Sequence, residues 1–294
     1  MRQARIKIAE EAYYHVTSRC ALQSFLFDRE AKDMFVKMMR RAETFSGVHI
    51  ITYCVMDNHF HLLVKVPQFQ EIGENELKDR ITTLYGSTKA ERIFARWDVL
   101  CENGEDETVE EEKNAFKKRM YDISEFVKTL KQRYSVWFCA NHVRADEGDA
   151  GAKIEGTIWQ GRFNSVLVEK TQKALTAVAA YIDMNPVRAG IVRDAKSYRW
   201  SGYGAAKRGD RYAIKSREEI NPGLYDDIIL ERQNGLAYRN VSLSRGVAIG
   251  TESFVSKAIS QAMARKRGFT IPKPLAKSGK LAVICTAGRK TRGA

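Results

Sequence analysis

Residues 49–66 read HIITYCVM, then Asp57-Asn58, then HFHLLVKV: two runs rich in β-branched and aromatic residues around a two-residue connection. A link that short joins only antiparallel neighbours, so the stretch commits the chain to a β-hairpin. Asp and Asn tolerate left-handed backbone, which suits such a turn. A hairpin alone is marginal in water, so it requires more strands and a covering layer.

The flanking pattern predicts both. AYYHVTSRC (12–20) has strand composition, and RFNSVLVEK (162–170) is a fourth strand. Between the first strand and the hairpin, Phe35, Met38, Met39 and Ala42 recur at helical spacing within residues 29–47, up to Gly47. Residues 122–143 keep a helical period, as do residues 171–185, where Thr171 is the expected N-cap and Pro186 the stop. The order β-α-β-β-α-β-α implies an α+β fold: a ferredoxin-like antiparallel sheet with helices packed on one face. It would occupy residues 1–205, interrupted by an insertion at about 68–120 whose acidic run ENGEDETVEEE (102–112) reads as a solvated loop. KSREE (215–219) likewise reads as solvated surface. Residues 206–294 form a smaller, mainly helical region that includes a capped basic helix over 251–268.

Charge separates the two regions. The chain carries 49 Lys and Arg against 36 Asp and Glu, a net +13, and residues 201–294 hold +11 of it. That concentration suggests an anionic partner, nucleic acid first, held by the C-terminal region through phosphate contacts. The five cysteines form no CxxC pair, which argues against a zinc ribbon and a disulfide framework. No apolar run reaches membrane-spanning length and the N-terminus lacks a signal-peptide core, so a cytoplasmic protein is expected.

Chemistry concentrates in HFHLLVKV. Side chains alternate along a strand, so His59, His61, Leu63 and Lys65 share one face and Phe60, Leu62, Val64 and Val66 the other. Two imidazoles roughly 7 Å apart at Cα are within reach of one metal ion. An HxH pair is a weak motif by itself, and structural histidines are common. A partner lies in AAYIDMNPVRAG (179–190). On that helix Leu175, Val178 and Ile182 form the apolar stripe, with Tyr181 at its flank and Asn185 one turn on. A buried tyrosine and a helix-ending asparagine would fit the same spacing.

His59-Phe60-His61 resembles the HUH motif of single-tyrosine transposases and relaxase-like nickases. WQGRFNSVLVE, YIDMNPVRAGIV and YRWSGY, with HVTSRC and YCVMDNHFHLLV, resemble the REP-associated tyrosine transposases over residues 12–66 and 122–205. The resemblance implies Tyr181 as nucleophile, His59, His61 and Asn185 as ligands of Mg²⁺ or Mn²⁺, and single-stranded DNA with hairpins or inverted repeats as substrate. It implies cleavage and strand transfer through a 5′-phosphotyrosine. Arg19, Arg162 and Arg188 flank these motifs and are candidate phosphate contacts, with ordinary surface charge as the alternative. Trp159 and Trp200 have either base stacking or core packing open to them. The protein would act as a monomer or homodimer. Two rivals remain: a domesticated hairpin-binding protein without cleavage activity, and an RNA-binding protein, which lacks the aromatic pair such a sheet would need.

Overall fold

The computed structural model describes residues 6–8, 10–21, 27–141, 157–233, 243, 246, 248–264, 273–275 and 284–286. Strands β1 (Ala12–Arg19), β2 (His49–Val55), β3 (His59–Val66) and β4 (Asn164–Val168) lie in the order β2-β3-β1-β4. That is the order expected when two helical crossovers return the chain to its own sheet, and the fold is α+β. β1 and β4 run antiparallel, from Tyr13 opposite Val168 to Thr17 opposite Asn164. The sheet continues through β5 (Ala248–Ile249), parallel to β4, to β7 (Ile284–Thr286) and β6 (Lys273–Leu275).

The hairpin closes where the sequence predicts, with Met56 N–H donating to the His59 carbonyl at 2.8 Å. Its turn geometry differs from expectation. Tyr121 is the sole non-glycine residue with positive φ among those described, so Asp57-Asn58 turns without left-handed backbone. Tertiary bonds hold it instead: Cys20 N–H donates to the Asn58 carbonyl at 2.8 Å, and Phe27 N–H to that of Asp57 at 3.0 Å.

The chain forms two compact units, one of Met1–Phe27, Ile50–Lys65 and Trp159–Ala294, the other of Asp28–His49 and Val66–Ile158. The second unit is built from α1 (Arg29–Ser46), α2 (Glu74–Tyr85), α3 (Ser87–Glu102), α4 (Asp106–Lys117) and α5 (Ile123–Asn141). Asp28 caps α1 by accepting from Ala31 N–H at 2.8 Å, and Gly47 ends it at φ 69°, a left-handed position that costs glycine nothing. The acidic run expected as a loop is largely helix α4. Asp106 and Glu107 sit in its first turn, where carboxylates favour the helix dipole, and Val109 is buried beside Trp97, Leu77 and Ile81. Trp97 Nε1 donates to Glu112 Oε2 at 2.9 Å, so an acid of that run completes the local core.

The first unit contains the sheet and α6 (Gln172–Asp183), α7 (Asn185–Arg188), α8 (Gly202–Lys207), α9 (Arg211–Ser216), α10 (Pro222–Gln233) and α11 (Glu252–Ala264). The basic helix expected over 251–268 is α11, and residues 265–268 lie outside those described. Its core gathers Tyr13, Leu63, Val166 and Val168 from the sheet with Leu175, Val178 and Ile182 of α6. Ile220, Tyr225 and Ile229 join the same cluster. KSREE is not simply solvated. Arg217 is 4% exposed beside Asp183, and Glu219 pairs with Lys65 at 2.8 Å, because a buried carboxylate and a strand lysine both need partners.

The YRWSGYG stretch is structural. Val55 N–H donates to the Trp200 carbonyl and Cys54 bridges Ser201, which bonds this segment to β2. A Cβ on Gly202 would meet Thr52 Oγ1 at 2.3 Å, and one on Gly204 the Tyr198 carbonyl oxygen at 2.0 Å. Only glycine permits that approach.

Candidate active site

His61 lies mid-strand on β3, and its face of the sheet is the one that packs on α6, since Leu63, two residues on, belongs to the α6 cluster. Thr171 starts α6 as predicted, its hydroxyl accepting from Ala174 N–H at 3.2 Å. Ala174, Ala179 and Ala180 are buried and small, so the helix backbone comes close to the sheet. Tyr181 therefore arrives over the histidines. Its ring centroid is 6.0 Å from that of His61, and the His59 and His61 rings are 5.0 Å apart.

A third imidazole belongs to this cluster. His15, on β1 next to β3 in the sheet, places Nε2 3.0 Å from His61 Nδ1 and its ring 5.8 Å from that of Tyr181. It is 0% exposed, and His61 4%. Burial pushes the His15 and His59 pKa values down to about 4, with the Arg19 charge adding to the effect at His59. Burial also holds His61 well below the usual histidine range, reinforced by its two histidine neighbours. All three are neutral imidazoles at neutral pH, the form that coordinates a cation.

Asn185 does not sit one turn beyond Tyr181 on one continuous helix. α6 ends at Asp183, and Asn185 begins α7, whose first turn accommodates Pro186. Its amide donates to the Ile182 carbonyl at 3.1 Å, and its Oδ1 accepts from Arg188 Nη2 at 3.1 Å. The same guanidinium lies 4.2 Å from the centroid of the Tyr181 ring. Among the described residues no group of three His, Cys, Asp or Glu side chains is arranged to hold a metal ion.

Arg19, Arg162 and Arg188 are all exposed. Arg19 and Arg162 occupy one end of the β1–β4 pair, where Gln160 N–H donates to the Arg19 carbonyl at 2.8 Å. Trp159 is buried with its ring against Phe27 and Phe60, and Trp200 packs on the α6 core, so both take the structural role open to them. Tyr198 donates to the Val55 carbonyl at 2.7 Å, and burial raises its pKa. Burial also pushes Tyr203 up to about 12. Neither phenol is as well placed as Tyr181 beside the imidazoles.

Sequence reasoning passes over His15 and Asp183. Nothing in AYYHVTSRC marks its histidine, because the register that sets β1 beside β3 is not local. Asp183 is 0% exposed and accepts from Thr52 Oγ1 at 2.9 Å, Tyr225 Oη at 2.5 Å and Tyr203 N–H at 3.2 Å. It anchors the end of α6 two residues past Tyr181.

Residues 8–91 match the family model described as "Transposase IS200 like". The matched segment contains His15, His59 and His61, and Tyr181 lies outside it. Among solved structures, that of a REP-associated tyrosine transposase bound to a REP hairpin is similar, at 14% identity and TM-score 0.43, covering 70% of this chain and 84% of that one. No curated protein matches the chain. No described helix is long and apolar enough to cross a membrane.

Proposed function

We propose that this chain is a divalent-metal-dependent, single-stranded DNA endonuclease and strand transferase acting at hairpin or inverted-repeat DNA, with Tyr181 as its nucleophile. The observation that carries the reading is the meeting of Tyr181 with two neutral imidazoles on one sheet face, the rings of Tyr181 and His61 6.0 Å apart. The IS200-like match over residues 8–91 supports it. His59 and His61 would hold Mg²⁺ or Mn²⁺, with Asn185 as the third ligand once its oxygen leaves Arg188. When bound, such an ion polarises the scissile phosphate and offsets the charge that builds on it.

The chain's own groups account for the rest. Tyr181 Oη gives up its proton as it attacks phosphorus, the bond to the 3′ oxygen breaks, and that oxygen leaves as a hydroxyl by taking up one proton, so the exchange is proton-neutral. The product is a 5′-phosphotyrosine, whose phosphodiester is conserved, so a 3′ hydroxyl attacking the same phosphorus rejoins a strand without an external energy source. Arg188, whose guanidinium lies over the phenol ring, would offset the phosphate's negative charge, and Arg19 and Arg162 would hold the strand's backbone. The basic region 206–294 would add further phosphate contacts.

A second reading, a hairpin-binding protein without cleavage, is favoured by one observation. Asn185 Oδ1 is already occupied by Arg188. Labelled single-stranded hairpin DNA, Mn²⁺ or Mg²⁺ and a denaturing gel separate the two. Wild type should leave a covalent adduct, Tyr181→Phe should bind without one, and EDTA should abolish it. Hairpin binding with no cleavage in either metal would establish the second reading.

A further inference from the structure

The hydrogen bonds of the histidine cluster determine where its protons sit. His15 Nδ1 lies 2.9 Å from the carbonyl oxygen of Leu243. A carbonyl has no hydrogen to give, so the His15 proton is on Nδ1. The ring is fully buried, which disfavours its charged form and leaves a lone pair on Nε2. That lone pair faces His61 Nδ1 at 3.0 Å. Two lone pairs repel, so His61 in turn carries its proton on Nδ1 and bares Nε2. At His59 the acceptor is Asn58 Oδ1, 2.6 Å from Nδ1, with the same consequence: Nε2 is bare.

We infer that His15 is a positioning residue, which with the Leu243 carbonyl holds His61 in the Nδ1-protonated tautomer and keeps its Nε2 lone pair available to a divalent cation. Asn58 does the same for His59. The assignment of a cation rests on the proposed function; the proton arrangement does not. The other tautomer would turn a hydrogen toward the ion, so an outer partner of this kind matters. Loss of such a partner typically lowers metal affinity by 10- to 100-fold.

The test uses the full chain, metal-free and labelled with ¹⁵N-histidine, and reads the tautomers by long-range ¹H–¹⁵N correlation. Wild type should show His59 and His61 protonated on Nδ1. His15→Phe removes the acceptor and should release His61 to Nε2 protonation and weaken Mn²⁺ binding by about 10- to 100-fold by titration calorimetry. His15→Gln keeps an amide oxygen for His61 and an amide N–H for Leu243, so it should restore both readings to within a few-fold of wild type. Nε2 protonation of His61 in a Mn²⁺-binding wild type would overturn the role of His15. So would an unchanged tautomer and affinity in His15→Phe. The expected tautomers in a wild type that takes up no Mn²⁺ would overturn the metal reading of the site instead. The wild-type measurement stands even if the Phe variant fails to fold.

Discussion

Replacing Asp183 with Asn changes almost no volume and should still be among the most damaging substitutions in the molecule. The carboxylate is fully buried and takes three hydrogen bonds, from Thr52, Tyr225 and the Tyr203 backbone. Arg217 Nη1 stands 3.6 Å away, is itself buried, and has no hydrogen-bond partner among the described residues. Burial is the largest influence on the acid and raises its pKa, while Arg217 and the three donors oppose it. The amide of Asn would turn a donor toward groups that donate, and would leave Arg217 buried without its counter-charge. Breaking a buried pair from one side costs about 3–5 kcal/mol. At roughly 2–4 °C per kcal/mol for a domain of this size, Tm should fall by about 6–20 °C in a thermal scan followed by near-UV circular dichroism. Arg217→Met should recover part of that loss in the double variant, with a coupling of roughly 0.5–3 kcal/mol. A Tm drop under about 2 °C in Asp183→Asn, or strict additivity of the two changes, would refute the reasoning.

Other expectations follow from the same contacts. Gly202→Ala should cost about 1–3 kcal/mol in a guanidinium titration, because its methyl group would meet Thr52 Oγ1 at 2.3 Å. His15 and His59 titrate at about 4 in the fold against about 6.5 in the unfolded chain, so the unfolded state takes up protons first. Stability should therefore be full above about pH 6.5 and fall as the pH drops from there towards 4, and urea midpoints should show a shallower fall in His15→Gln. Arg265, Lys266 and Arg267 changed together to Gln should lower the slope of log K against log salt for single-stranded DNA by about 2 units if all three meet phosphates. An unchanged slope would return backbone binding to Arg19, Arg162 and Arg188.

Local order was legible in the sequence wherever a short-range rule governs it. The two-residue link fixed antiparallel pairing of β2 and β3, the alternation in HFHLLVKV put both histidines on one face, and Thr171 marked the start of α6. The acidic run at 102–112 is largely helix where its composition suggests a solvated loop, because the two share that composition. What separates them is one buried contact, Val109 against Trp97 and its neighbours, and burial is not a local property. Strand order, likewise, is not written in any segment. It brings β1 beside β3, and with it His15 to His61, and it lets α6 lower Tyr181 onto the pair. The sequence thus determined which side chains were available for the site. Only the tertiary structure decided that a third histidine joins them, that Asn185 turns to Arg188, and that a buried aspartate anchors the helix carrying the tyrosine, because each of these depends on distances between residues far apart along the chain.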